Sequence, residues 1–264
     1  MEKQLETAYQ GAPACRAPGL WKGIATGLRE IWDRIGLTFA ISLTWTVMTA
    51  AALAALSRGL PHAWPSGIRG AVALLGCALV GAPGFAGACW VAHLSAEHED
   101  VDYIAYWRGV RRLFVPAAAL GSIHVGVLLL ASLSLWFYAH LAPAVGVVCG
   151  LVCVYVLLVW AVMAPYEFPI LAAQEAGLFD EEGRRARRGA LAAIRRSFYL
   201  ALGAPLYSLG LLLVCALLTA AFALLPMLSA GALAMVVTAP TRSLLVRFGV
   251  LPAPPAPIDR GFQL

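Results

Sequence analysis

Residues 166–198 read YEFPILAAQEAGLFDEEGRRARRGALAAIRRSF, and this stretch parts two long blocks that hold no Asp, Glu, Lys or Arg. Leu113 to Tyr166 runs 54 residues without a charged side chain, and Ser197 to Thr241 runs 45. A hydrocarbon core about 30 Å thick takes roughly 20 residues of helix, and inside it the backbone groups must be satisfied within the segment. Each block therefore holds two helical crossings, and the arginine-rich piece between them stays in water. The fold class that follows is an all-α integral membrane protein.

Composition agrees. Of 264 residues, 61% are hydrophobic and 12% charged, with a mean hydropathy of +0.80, which excludes an ordinary soluble domain. The net charge of +5 gathers at the ends of apolar segments, so anionic lipid headgroups are the expected partner and nucleic acid is not. The six cysteines form no Cys-x-x-Cys pair, and five lie inside apolar segments, where they read as small buried hydrophobes. The first 18 residues are polar and contain Pro13 and Pro18, so no cleavable signal peptide is expected.

Outward from the central stretch, the pattern predicts a flexible arm over 1–18, a membrane domain over 19–250 and a proline-rich, unstructured tail over 251–264. Six crossings are expected at about 36–56, 70–92, 114–139, 141–165, 198–225 and 226–248. Leu20, Trp21, Ile24, Leu28, Ile31 and Trp32 recur at helical spacing opposite Lys22, Arg29, Glu30 and Asp33, which predicts an amphipathic helix on the membrane surface. A second such helix is expected between His93 and Leu113. Gly146 and Gly150 have the spacing of a close helix interface. With the amino terminus cytoplasmic, 17 of the 19 Lys and Arg fall on the inner side and only Arg58 and Arg69 outside. The expected location is a bacterial inner membrane with both termini cytoplasmic.

One order recurs three times: a basic amphipathic helix, a crossing, an outer turn and a return crossing that ends in Ala-Pro. The pairs are Ala82-Pro83, Ala164-Pro165 and Ala239-Pro240, spaced 82 and 75 residues apart. Two crossings per unit keep successive copies parallel, which predicts three hairpin repeats about an axis along the membrane normal. Pro83, Pro165 and Pro240 would bend the return helices. Their freed carbonyls either line a cytoplasmic cavity or reflect plain packing.

The run Asp102-Tyr103-Ile104-Ala105-Tyr106-Trp107-Arg108-Gly109-Val110-Arg111-Arg112-Leu113-Phe114, followed later by Tyr166-Glu167-Phe168-Pro169-Ile170-Leu171 and a basic helix, resembles the YesL-like family of bacterial multi-pass membrane proteins. Members of that family have no established activity. Their genes often lie beside carbohydrate-uptake systems of the ATP-binding-cassette type, so the resemblance implies such transporter components as partners. It also implies an accessory or regulatory role in solute uptake. The alternative expectation is a carrier that moves a small solute through a cavity between the repeats.

Glu167, beside Tyr166, is the candidate functional carboxylate, because an ionisable group at the end of a crossing is costly unless paired or watered. It is expected either to meet a proton or ligand in the cavity or to pair with an interfacial arginine. His124 stands alone in the third crossing and suits a hydrogen bond to a neighbouring helix. His93, Glu97, His98 and Asp102 miss the His-Glu-x-x-His spacing of a zinc helix and read as a solvated polar surface. Arg184, Arg185, Arg187, Arg188, Arg195 and Arg196 are expected to hold lipid headgroups. The crossings offer almost no paired polar groups, so neither enzymatic activity nor a metal or cofactor is expected.

Overall fold

The computed structural model describes residues 19–61, 63–97, 101–140, 143–179, 188–222, 229–248 and 250–251. The expected arm over 1–18, His98, the acidic turn at Asp180 to Glu182, Arg184, Arg185, Arg187, the turn near Pro226 and the tail from 252 onward lie outside the described residues. The described residues form eight α-helices: α1 (Leu20–Asp33), α2 (Ile35–Gly59), α3 (Ser66–Ala96), α4 (Tyr103–Tyr138), α5 (Pro143–Glu175), α6 (Ala190–Gly203), α7 (Pro205–Phe222) and α8 (Ser229–Arg247). Five of them, α2, α3, α4, α5 and α8, are long and apolar enough to cross a membrane. The pair α6 and α7, bent by 112°, makes a sixth if it counts as one span. Among the described residues the regular structure is therefore all helical, with the make-up of a multi-pass membrane protein.

Two boundaries differ from the sequence reading. The expected second surface helix and the third crossing are one element, because α4 runs unbroken from its cap to Tyr138 with Pro116 inside it. Asp102 caps its start, the carboxylate accepting from the Ala105 N–H at 2.9 Å. Where the fifth crossing is expected to begin at residue 198, the helix is broken instead: α6 ends at Gly203 and α7 starts at Pro205. Ala204 has φ −144° and ψ 67°, outside the helical region, as expected for a residue driven from it by the ring of a following proline. The 18 residues of α7, at 1.5 Å each, still reach about 27 Å.

Contacts along the helices fix their directions. Trp45 donates its indole N–H to the Gly81 carbonyl at 2.8 Å, and Leu56 lies against Gly76, so α2 and α3 are antiparallel. Val110 meets Gly87 and Gly121 meets Ala82, which makes α4 antiparallel to α3. His124 meets Glu167 while the Cys153 thiol faces the Ala131 carbonyl, which makes α5 antiparallel to α4. Tyr207 of α7 donates to the Pro240 carbonyl of α8, and Gly203 at the end of α6 abuts Phe248 just past α8. Hence α3 and α5 are parallel. Cys89 beside Thr238 and Glu97 beside Arg242 align α8 with α3 as well. All three return helices touch one another.

The remaining helical pieces cover this triad. α1 packs on α8, the first turns of α4 pack on α3, and α6 packs on α5. Glycine permits the closest of these approaches: a Cβ at Gly27 would sit 2.9 Å from the Met235 carbonyl oxygen, and one at Gly109 2.8 Å from Trp90. α1 thus binds protein through Gly23, Ile24 and Gly27 and leaves Trp21, Leu28 and Trp32 exposed. The interface expected at Gly150 is not a close one, since a Cβ there would meet open space. The reason is position: only 6% of the most apolar window of α5 is buried, against 67% for α8. Gly27→Leu is expected to lower the unfolding free energy by about 1–3 kcal/mol through overpacking. Gly150→Leu should change it by less than about 0.5 kcal/mol, both read from unfolding midpoints in detergent.

Candidate functional site

Because α5 stays helical through Pro165 and Pro169, Glu167 is carried into the contact between α5 and α4 instead of fraying into a loop. Its side chain is 0% exposed, and Oε2 lies 3.2 Å from Nε2 of His124. The expected arginine partner is therefore replaced by a histidine from the preceding crossing. His124 Nδ1 is 3.0 Å from the Leu120 carbonyl, an acceptor, so Nδ1 carries a hydrogen. A neutral ring then presents only a lone pair at Nε2. The contact with the carboxylate is attractive when one further proton lies between the two groups, owned by either. Glu167 and His124 thus form a close contact of two titratable groups between two helices that are long and apolar enough to cross a membrane.

Aromatic rings wall this pair. The His124 ring is 5.4 Å from that of Trp160, edge to face, and 6.1 Å from that of Phe168, which in turn meets Phe85 of α3 at 5.3 Å. Among the described residues no well-aligned hydrogen-bond donor reaches either oxygen of Glu167. The pair depends on itself, which is the arrangement an intramembrane carboxylate needs when water is scarce.

Tyr166 is buried beside it and faces another helix. The Ser208 hydroxyl donates to the Ala204 carbonyl at 3.0 Å, so the Tyr166 hydroxyl, 2.8 Å away, is the donor to Ser208. Tyr166 thereby ties α5 to the bend between α6 and α7. Pro83 and Pro240 are buried in the triad and Pro165 is half-buried, each within an uninterrupted helix. The residues around them, including Ala86, Cys89, Tyr166, Ile170, Ala234 and Met235, are at most 1% exposed, so the triad is closed to solvent at this level.

His93 requires a correction, whereas Glu97 is exposed as expected. Instead of a solvated surface, His93 is 3% exposed, because α3 continues to Ala96 between its neighbours. Glu97 lies 3.8 Å from the Arg242 guanidinium. Of the central arginines that the structure describes, Arg188 and Arg195 are exposed. Arg195 lies over the Tyr199 ring at 5.7 Å, whereas Arg196 is buried with its guanidinium 4.1 Å from the Phe179 ring. Among the described residues no three His, Cys, Asp or Glu side chains converge as a metal site. No family model, curated protein or solved structure matches the chain.

The pairing of His124 with Glu167 was missed by sequence reasoning, which weighed each residue alone. The available signal was that two ionisable residues in adjacent antiparallel crossings lacked any other partner. In a cycle of His124→Ala, Glu167→Ala and the double variant, the double loss should fall short of the sum by about 0.5–3 kcal/mol. Strict additivity in unfolding measurements would show that the two groups do not interact.

Proposed function

We propose that the chain is a bacterial inner-membrane protein of three parallel hairpin units, both termini cytoplasmic, that serves as an accessory or regulatory component of a solute-uptake system. Transporter components of the ATP-binding-cassette type are its partner class, with carbohydrate importers the first to test. The hairpin reading is supported by the parallel triad of α3, α5 and α8, by the cyclic covering of each by α4, α6 and α1, and by the Ala-Pro pair carried in each. Orientation is supported by the 17 to 2 division of Lys and Arg.

One observation carries the accessory role over a channel-like one. The helices that would have to line a path are packed through buried small and apolar side chains, while α2, α5 and α7 present broad apolar faces outward. Such a body acts by what docks on it. A protein purified in mild detergent should bring a permease or ATPase with it in fixed stoichiometry; solute flux by the pure protein in liposomes, with no partner retained, would overturn this role.

A carrier is the second reading, and the Glu167–His124 contact favours it, since a buried carboxylate beside an imidazole suits coupling to a proton gradient. Under that reading Glu167→Gln, which keeps the shape and removes the titrating acid, abolishes proton-coupled flux while the folded protein persists. Unchanged flux in the variant would exclude the pair from coupling. Orientation is checked separately: a cysteine at Arg188 should resist a membrane-impermeant thiol reagent in intact cells, and one at Arg58 should react.

A further inference from the structure

A groove of about 460 Å³ opens on the outside of the bundle where α6 crosses α5. From α5 come Val156, Val159 and Met163; from α6 come Leu191, Ile194 and Phe198, which share one helix face by their spacing. Arg195 lies on that face too and is the one charged side chain in the lining. The floor includes Trp160, whose ring also packs against His124.

The groove exists because α6 is turned 112° away from α7, so the face of α5 beside α6 is left without a helix to cover it. Leu191 remains 76% exposed, Tyr155 67% and Val156 55%, in a chain whose neighbouring segments are membrane spans. We infer that this groove binds an anionic phospholipid, with an acyl chain along Val156, Val159 and Ile194 and the acidic headgroup on Arg195.

Charge and shape together select this occupant. A free phosphate would satisfy Arg195 and leave the apolar lining unused. A transmembrane helix would fill the lining and bring no anion to the guanidinium. A phospholipid supplies both. Stacking over Tyr199 orders the Arg195 guanidinium beforehand, which reduces the entropy lost on binding. The inference rests on the membrane-protein reading but not on any role in uptake.

Native mass spectrometry of the protein released from detergent, with phosphatidylglycerol or phosphatidylcholine added, tests it. The wild type should retain phosphatidylglycerol at collision energies that strip phosphatidylcholine. Arg195→Gln should weaken phosphatidylglycerol binding about fivefold, the equivalent of one interfacial charge, and Arg195→Lys should restore most of it. Ile194→Trp, which fills the groove, should displace the lipid. Since that variant alters packing, its folding is checked by circular dichroism, and the exposed Arg195 variants stand as the independent arm. Equal retention of both lipids by the wild type, or an undiminished preference in Arg195→Gln, would overturn the inference. Disulfide formation between Val156→Cys copies in lipid-rich membranes would also overturn it, by showing a second copy in the groove. A failure to co-purify with a transporter would leave all of these outcomes unaffected, so the two readings fail separately.

Discussion

Three parallel helices held at van der Waals contact are the constraint on which the rest of the molecule depends. Between membrane helices the hydrophobic effect supplies little, because lipid tails are as apolar as leucine, and association comes from close packing and interhelical hydrogen bonds. The triad meets that requirement with small residues. Ala86, Ala88, Cys89 and Ala234 are at most 1% exposed, and Gly87 admits the backbone of α4 so closely that a Cβ would lie 3.1 Å from the Val110 nitrogen. Polar groups enter this packing where a partner waits. Ser42 of α2 donates to the Thr38 carbonyl and accepts from the Gly231 N–H at 2.8 Å, satisfying a donor in the first turn of α8.

The same packing explains why an amphipathic pattern can describe a helix and still leave its partner unnamed. α1 carries tryptophans suited to a headgroup layer, and these are exposed as expected. Its glycines, which a hydrophobicity count passes over, are what seat it on α8 at Pro240 and Val236. In the spanning helices, by contrast, lipid-facing and protein-facing sides are distinguished by side-chain size, not by polarity, since both sides are apolar.

That distinction also marks how much could be read beforehand. The spans were legible because uncharged length alone decides them, and α2 agrees with its expected limits to within three residues at either end. The break before Pro205 was written in Ala204-Pro205 but hidden by uniform apolarity on either side. His93 was misread because its burial depends on how far α3 continues, which local charge density does not reveal. The Glu167–His124 contact joins residues 43 apart in the chain, and it depends on the antiparallel register of α4 and α5, a tertiary quantity.

Adjacent residues on a helix point about 100° apart, and at Tyr166 and Glu167 this offset has a structural consequence. Glu167 reaches α4 through His124, while Tyr166 reaches α7 through Ser208, so α5 is held from two sides at one level. The Ser208 contact falls on the first turn after Ala204, where α6 departs at 112°. Fixing that bend fixes the uncovered face of α5, and with it the groove that Trp160 separates from His124 by one aromatic ring. The Glu167–His124 contact, the bend and the groove thus lie together along α5. A displacement of α6 would change the width of the groove that Trp160 lines.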